Sequence, residues 1–182
     1  MPIEVEKKYN LTKEQFEKTI TALKESNAHY HGEEFEENTL FKGKALEGKH
    51  TVLRLRRVNQ RAILTYKQRL HSDSPIKFQH EDETEIADAE AMNAILFSLG
   101  FIPSLVYEKR RKTWDFESVE IVLDELPFGY YMEIEGEEDR ITETEKLFGF
   151  DNFEAEEMTY PSLTLKFGRK NGDLIEARFE KS

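Results

Sequence analysis

The chain has 182 residues, 38% of them hydrophobic, and carries a formal net charge of -11. That length suits one domain, residues 1–182, with a sizeable core, and the acidic balance argues against general nucleic-acid or anionic-membrane binding, both of which want a basic field. With no cysteine, a disulfide framework, a thiolate metal site and a cysteine nucleophile are all excluded.

The N-terminus shows no basic, apolar and small-residue signal, and no apolar run reaches membrane-spanning length, so a cytoplasmic protein is the default. The first run reads as a strand with Glu4, Glu6 and Lys8 on one face and Ile3, Val5 and Tyr9 on the other. Thr12 and Gln15 then stand at capping-box spacing, with Phe16, Ile20 and Leu23 on one helical face, which predicts a helix from Lys13 to Glu25. Ser26 to Gly32 reads as a polar loop. His29 and His31 within it have no companions to complete a metal-ligand set. A strand is expected around Thr39-Leu40-Phe41, with a turn over Gly43–Gly48.

From Val52 onward the charged-face pattern returns. Arg54 and Arg56 share a face opposite Leu53 and Leu55, and Lys67 ends a strand whose other face is Ala62, Leu64 and Tyr66. The gap from Val58 to Arg61 suits a hairpin turn. His71–Pro75 is a loop, and Glu81, Glu83 and Glu85 share one face of the next strand. Asp88 caps a helix carrying Met92, Ile95, Leu96 and Leu99 and closed by Gly100. Lys109 and Arg111 share a strand face, Asp124 ends the following strand, and Glu133 and Glu135 stand opposite Met132 and Ile134. A short helix is expected from Thr142, with Glu145 at capping-box spacing, and another over Pro161–Phe167. The stretch from Gly168 to Ser182 reads as a polar tail. Seven predicted strands thus carry charge on one face, a pattern that an open sheet with a solvated, salt-bridged face would also produce.

The order of these runs is more specific than any one of them. Glu-x-Glu-x-Lys, Arg-x-Arg, a strand ending in Lys, Glu-x-Glu, Lys-x-Arg, a strand ending in Asp and a late Glu-x-Glu resemble the CYTH superfamily. That family includes class IV adenylate cyclases and thiamine triphosphatases, the triphosphate tunnel metalloenzymes. The likeness runs from about Ile3 to Glu135, and more weakly through Thr159–Leu163. It implies an α+β fold, an antiparallel eight-stranded closed or nearly closed β-barrel with helices packed outside, whose charged tunnel binds triphosphate with Mg2+ or Mn2+.

On that likeness Lys8, Arg54, Arg56, Lys67, Lys109 and Arg111 form a phosphate cradle, arginine being suited to forked contacts with phosphate oxygens. Glu4, Glu6, Asp124, Glu133 and Glu135 are the metal-side acids, Glu83 and Glu85 supporting acids, and Lys67 the candidate catalytic lysine. The implied partner is a small-molecule triphosphate; oligomeric state, homodimer included, is left open. Two departures stand out. Relatives carry an Asp-Thr-Tyr-like stretch where this chain has Asn38-Thr39-Leu40-Phe41, so a tyrosine-assisted attack by water lacks its tyrosine there. Relatives also place an arginine before the glutamate pair, where only Lys77 and His80 are candidates. Terminal-phosphate hydrolysis asks only for a triphosphate grip and a water. Cyclisation of ATP to cyclic AMP and non-catalytic binding of polyphosphate or nucleotide are the alternatives.

Overall fold

Alternating charge along successive strands can be buried only if the charged faces turn toward one another, and the chain achieves this by closing its sheet. The computed structural model describes residues 3–48, 50–70 and 77–180; the side chains of Ile3, Glu4 and Lys77 and the loop predicted at His71–Pro75 lie outside that description. In chain order the elements are β1 (Ile3–Leu11), α1 (Lys13–Glu25), β2 (His29–Lys42), β3 (Thr51–Val58), β4 (Arg61–Arg69) and β5 (Lys77–Ile86). There follow α2 (Ala89–Ser98), β6 (Ile102–Phe116), β7 (Val119–Leu126), β8 (Gly129–Glu135), α3 (Glu138–Phe148), β9 (Glu154–Ala155), α4 (Tyr160–Phe167), β10 (Arg169–Asn171) and β11 (Leu174–Ala177).

Strands β1 to β8 form the expected closed eight-stranded barrel, in the order β1-β5-β4-β3-β2-β6-β7-β8, with β8 returning to β1. Every pairing around this ring is antiparallel. Closure leaves no free edge and gives each strand one face toward the axis and one toward the helices.

The apolar faces point outward, where the helices cover them. Tyr9, Trp114, Ile121, Leu123, Met132 and Ile134 are buried together with Phe16 and Leu23 of α1 and Ile141 of α3. On another side Leu53, Leu55 and Ala62 pack with Leu96 of α2. A third cluster lies on the inward side instead, where Leu40, Tyr107 and Tyr131 share strand faces with the charged residues and pack with Tyr160 and Leu163 of α4. The predicted capping box of α1 is present: Gln15 N donates to Thr12 Oγ1 at 3.1 Å and Thr12 N to Gln15 Oε1 at 2.8 Å. Asp88 caps α2 as its spacing suggests. The β3–β4 hairpin turns through Asn59 at φ 54°, a conformation asparagine tolerates. Among the described residues no helix is long and apolar enough to cross a membrane.

Three elements differ from the sequence-based reading. Strand β2 begins at His29, so the expected loop is largely strand, and it pairs with β6 from His29↔Asp115 to Lys42↔Ile102. Helix α3 starts at Glu138, before Thr142, with Glu138 and Asp139 in its first turn where acidic side chains complement the helix dipole. The expected polar tail contains the β10–β11 hairpin. Strand β7 pairs with β6 from Arg110 to Phe116 only, and β11 runs parallel to Leu105–Tyr107 on the stretch that β7 leaves uncovered.

Candidate active site

The inward residues line a cavity of about 800 Å³. Its two walls follow from strand order. β1 and β8 are neighbours and bring Glu6 opposite Glu135 and Lys8 opposite Glu133. The cations come from β3 (Arg54, Arg56), β4 (Lys67) and β6 (Lys109, Arg111), with β2 between β3 and β6. One wall is therefore mainly carboxylate and the other cationic, with Lys8 on the carboxylate side.

Two buried carboxylates sit behind the cationic wall and hold it in place. Asp124, fully buried, accepts Arg111 in a two-pronged contact, Nε to Oδ1 at 2.8 Å and Nη2 to Oδ2 at 2.6 Å. It also accepts from Tyr160 Oη at 2.7 Å and Lys109 Nζ at 3.3 Å. Glu36, equally buried, lies 3.4 Å from both Lys109 Nζ and Arg56 Nε and 3.9 Å from Arg111 Nε. Asn38 joins them, donating to Glu36 Oε2 at 3.1 Å and accepting from Arg56 Nε at 3.3 Å. Burial alone would push the Glu36 carboxyl up, but Lys109, Arg56 and Arg111 outweigh it and hold the group well below the usual carboxylate range. Lys109 is pushed down to about 8 by burial and by Arg111, against the pull of Asp124 and Glu36.

The remaining predicted residues are placed as follows. Lys67 Nζ lies 2.7 Å from Glu81 Oε2, in register across β4 and β5. Arg54 Nη2 donates to Thr65 Oγ1 at 3.3 Å, and Thr65 donates to Glu83 Oε2 at 3.1 Å. Lys8 Nζ is 3.2 Å from Glu133 Oε1, and Arg111 Nη2 donates to Glu133 Oε2 at 2.7 Å. Glu6, Glu83, Glu133 and Glu135 line the cavity, whereas Glu85 is exposed outside it and Asp124 sits behind Arg111. The side chain of Glu4 lies outside the described residues. His31 Nε2 is 2.6 Å from Asp115 Oδ2, away from the cavity.

Glu36, Glu81 and Tyr160 join the site without having been singled out in the candidate set. Arg54 Nε is buried and has no hydrogen-bond acceptor among the described residues. A buried guanidinium nitrogen without an acceptor is costly, and an anion in the cavity would supply one. Among the described residues no three acidic or histidine side chains converge into a preformed metal site. The donors that face the cavity are carboxylate oxygens, and Mg2+ is commonly held by one or two such groups together with substrate phosphates and water. The donor set fits a hard divalent cation held jointly with a ligand.

These features define a closed antiparallel barrel with a charged interior lined by arginines, lysines and carboxylates. The chain belongs to the CYTH family: residues 2–162 match the CYTH domain. No curated protein is significantly similar to the chain in sequence. Among solved structures it is similar to a conserved hypothetical protein of Pyrococcus furiosus, at 25% identity and TM-score 0.75, covering 88% of this chain and 99% of that one. A Pyrococcus horikoshii protein is 29% identical with TM-score 0.73, over 90% and 98% of the two chains. A Hippeastrum protein described as a candidate adenylyl cyclase with a dominant triphosphatase activity has TM-score 0.69 at 20% identity, over 88% and 93%, a likeness of fold.

Proposed function

We propose that the protein is a divalent-metal-dependent triphosphatase that grips a triphosphate in the barrel and releases its terminal phosphate to water. The observation that carries this reading is the gathering of Arg54, Arg56, Lys67, Lys109 and Arg111 with the carboxylates Glu6, Glu133 and Glu135 around one cavity. A triphosphate carries about four negative charges, and its transfer chemistry asks mainly for positioning and charge stabilisation. Arg111, fixed from behind by Asp124, and Arg54, with its unpartnered Nε, are preorganised to bind phosphate oxygens. Glu6, Glu133 and Glu135, with Glu4, would hold Mg2+ or Mn2+, which when bound would neutralise charge on the phosphate oxygens. Asp124 serves this site by positioning Arg111.

The lining also bears on which triphosphate is preferred. The cavity-lining tyrosines are Tyr107 and Tyr160; both are buried, and Tyr160 is committed to Asp124. Apart from His50, that leaves little aromatic surface among the described residues on which a nucleobase or thiazolium could stack, and recognition falls on the phosphates. We therefore place inorganic tripolyphosphate ahead of thiamine triphosphate and ATP. The test is product analysis by phosphorus NMR on each of the three, with Mg2+ and with Mn2+. Orthophosphate release supports the hydrolase; pyrophosphate with cyclic AMP from ATP would replace it by a class IV adenylate cyclase, and no turnover by a polyphosphate binder.

A further inference from the structure

Helix α4 stands outside the barrel's ladder, yet its first residue reaches the centre of the site. Thr159 caps the helix, accepting from Ser162 N at 3.3 Å, and Pro161 sets the backbone in the first turn, so Tyr160 is held at a defined angle. Its ring lies 3.7 Å from Lys8 Nζ and 5.2 Å from Lys109 Nζ, and its hydroxyl donates to Asp124 Oδ2 at 2.7 Å. Just before the helix, Met158 O accepts from Lys8 Nζ at 3.4 Å. Tyr131 packs edge-on to the ring at 5.6 Å.

One side chain thus touches two cations of the cradle through its π face and, through its hydroxyl, the carboxylate that holds a third. We propose that Tyr160 is a positioning residue for the triphosphate grip, fixing Lys8 and Lys109 relative to Arg111. This rests on the cavity being a triphosphate site. Two like charges are drawn to one aromatic ring because its face is negative. Among the described residues, removing the ring leaves Lys8 with only Glu133, 3.2 Å away, and Met158 O to orient it, and frees it to turn out of a phosphate-binding position.

The test is calorimetric titration of inorganic tripolyphosphate into the wild type, Tyr160→Phe, Tyr160→Leu, Lys8→Met and the double variant Lys8→Met/Tyr160→Leu, with folding checked by circular dichroism. Tyr160→Phe keeps the ring and is expected to bind about fivefold more weakly, less than the full worth of a hydrogen bond to a charged group because Asp124 still holds Arg111 and Lys109. Tyr160→Leu is expected to bind about thirtyfold more weakly, and to lose most of that effect in the Lys8→Met background, since the two residues act as one unit. A merely structural role would lower the melting temperature while leaving affinity per folded molecule unchanged. Folded Tyr160→Phe and Tyr160→Leu proteins that bind as the wild type does, or strictly additive losses in the double variant, would overturn the proposal. A wild type that fails to bind tripolyphosphate would instead overturn the reading of the site beneath it.

Discussion

Asp124 and Arg111 form a paired, parallel contact, Nε to Oδ1 at 2.8 Å and Nη2 to Oδ2 at 2.6 Å, in which the carboxylate is wholly buried and the guanidinium faces the cavity. This geometry fixes the plane of the arginine before any ligand arrives. The Asp124→Asn variant keeps the shape and loses the charge. It is expected to lose about 3 kcal/mol of stability, the scale for breaking a buried pair, and to bind tripolyphosphate more than tenfold more weakly. Denaturant melts and calorimetry check the two parts.

Arg54 and Arg56 line the cavity themselves. Replacing either by alanine is expected to weaken tripolyphosphate binding by about 1 to 3 kcal/mol, the range for charge-assisted hydrogen bonds. Unchanged affinity in folded variants would remove that residue from the site.

Glu36 offsets the mutual repulsion of Lys109, Arg56 and Arg111. Because its folded carboxyl lies below its unfolded value, its stabilisation is complete above about pH 4.5 and fades as pH falls below that, where the unfolded chain takes up the proton first, until the folded carboxyl is protonated too. Glu36→Gln is expected to lower stability at neutral pH by about 3 kcal/mol, with the gap to wild type narrowing at low pH. Melts at pH 3 and pH 7 test this.

Lys109 is also shifted down, but for an amine a lowered value disfavours the charged form. Its folded amine is pushed down to about 8, while the unfolded value is about 10.4. Between those values the unfolded chain binds more protons, so Lys109's contribution to stability rises with pH from about 8 to about 10.4, and its burial costs most below pH 8. Ligand binding follows the charge instead. Tripolyphosphate affinity is expected to fall as pH rises through 8, with proton uptake on binding near that pH. Calorimetry in buffers of different ionisation enthalpy measures the proton count, and zero uptake would contradict the expectation.

How much of this is written in the chain depends on contrast between neighbouring residues. Arg54 and Arg56 alternate with Leu53 and Leu55, and Glu133 and Glu135 with Met132 and Ile134, so period two alone places these charges on one face. Glu36 lies in Glu33-Glu34-Phe35-Glu36-Glu37, where polar residues occupy both faces and the alternation carries no signal. Its role appears only when β6 brings Lys109 opposite it. Glu81, Glu83 and Glu85 share a face, but the β4–β5 register decides that Glu81 meets Lys67 while Glu85 reaches the exposed end. Tyr160 falls within the weaker likeness over Thr159–Leu163, but its role was not legible, because its helix comes from outside the strand pattern and its polar partners lie on β1, β6 and β7.

Removal of metal gives a further expectation. Phosphate release should cease in excess chelator and return with Mg2+ or Mn2+, and Glu135→Gln should need a higher metal concentration for half-maximal rate. Full activity in chelator would contradict the role given to Glu6, Glu133 and Glu135.

The most direct measurement is a crystal structure with a non-hydrolysable tripolyphosphate analogue. Phosphate oxygens are expected within hydrogen-bond distance of Arg54, Arg56, Lys109 and Arg111, with Arg54 Nε gaining the acceptor it lacks. An analogue seated outside the barrel, or a barrel left empty at saturating ligand, would contradict the triphosphate grip.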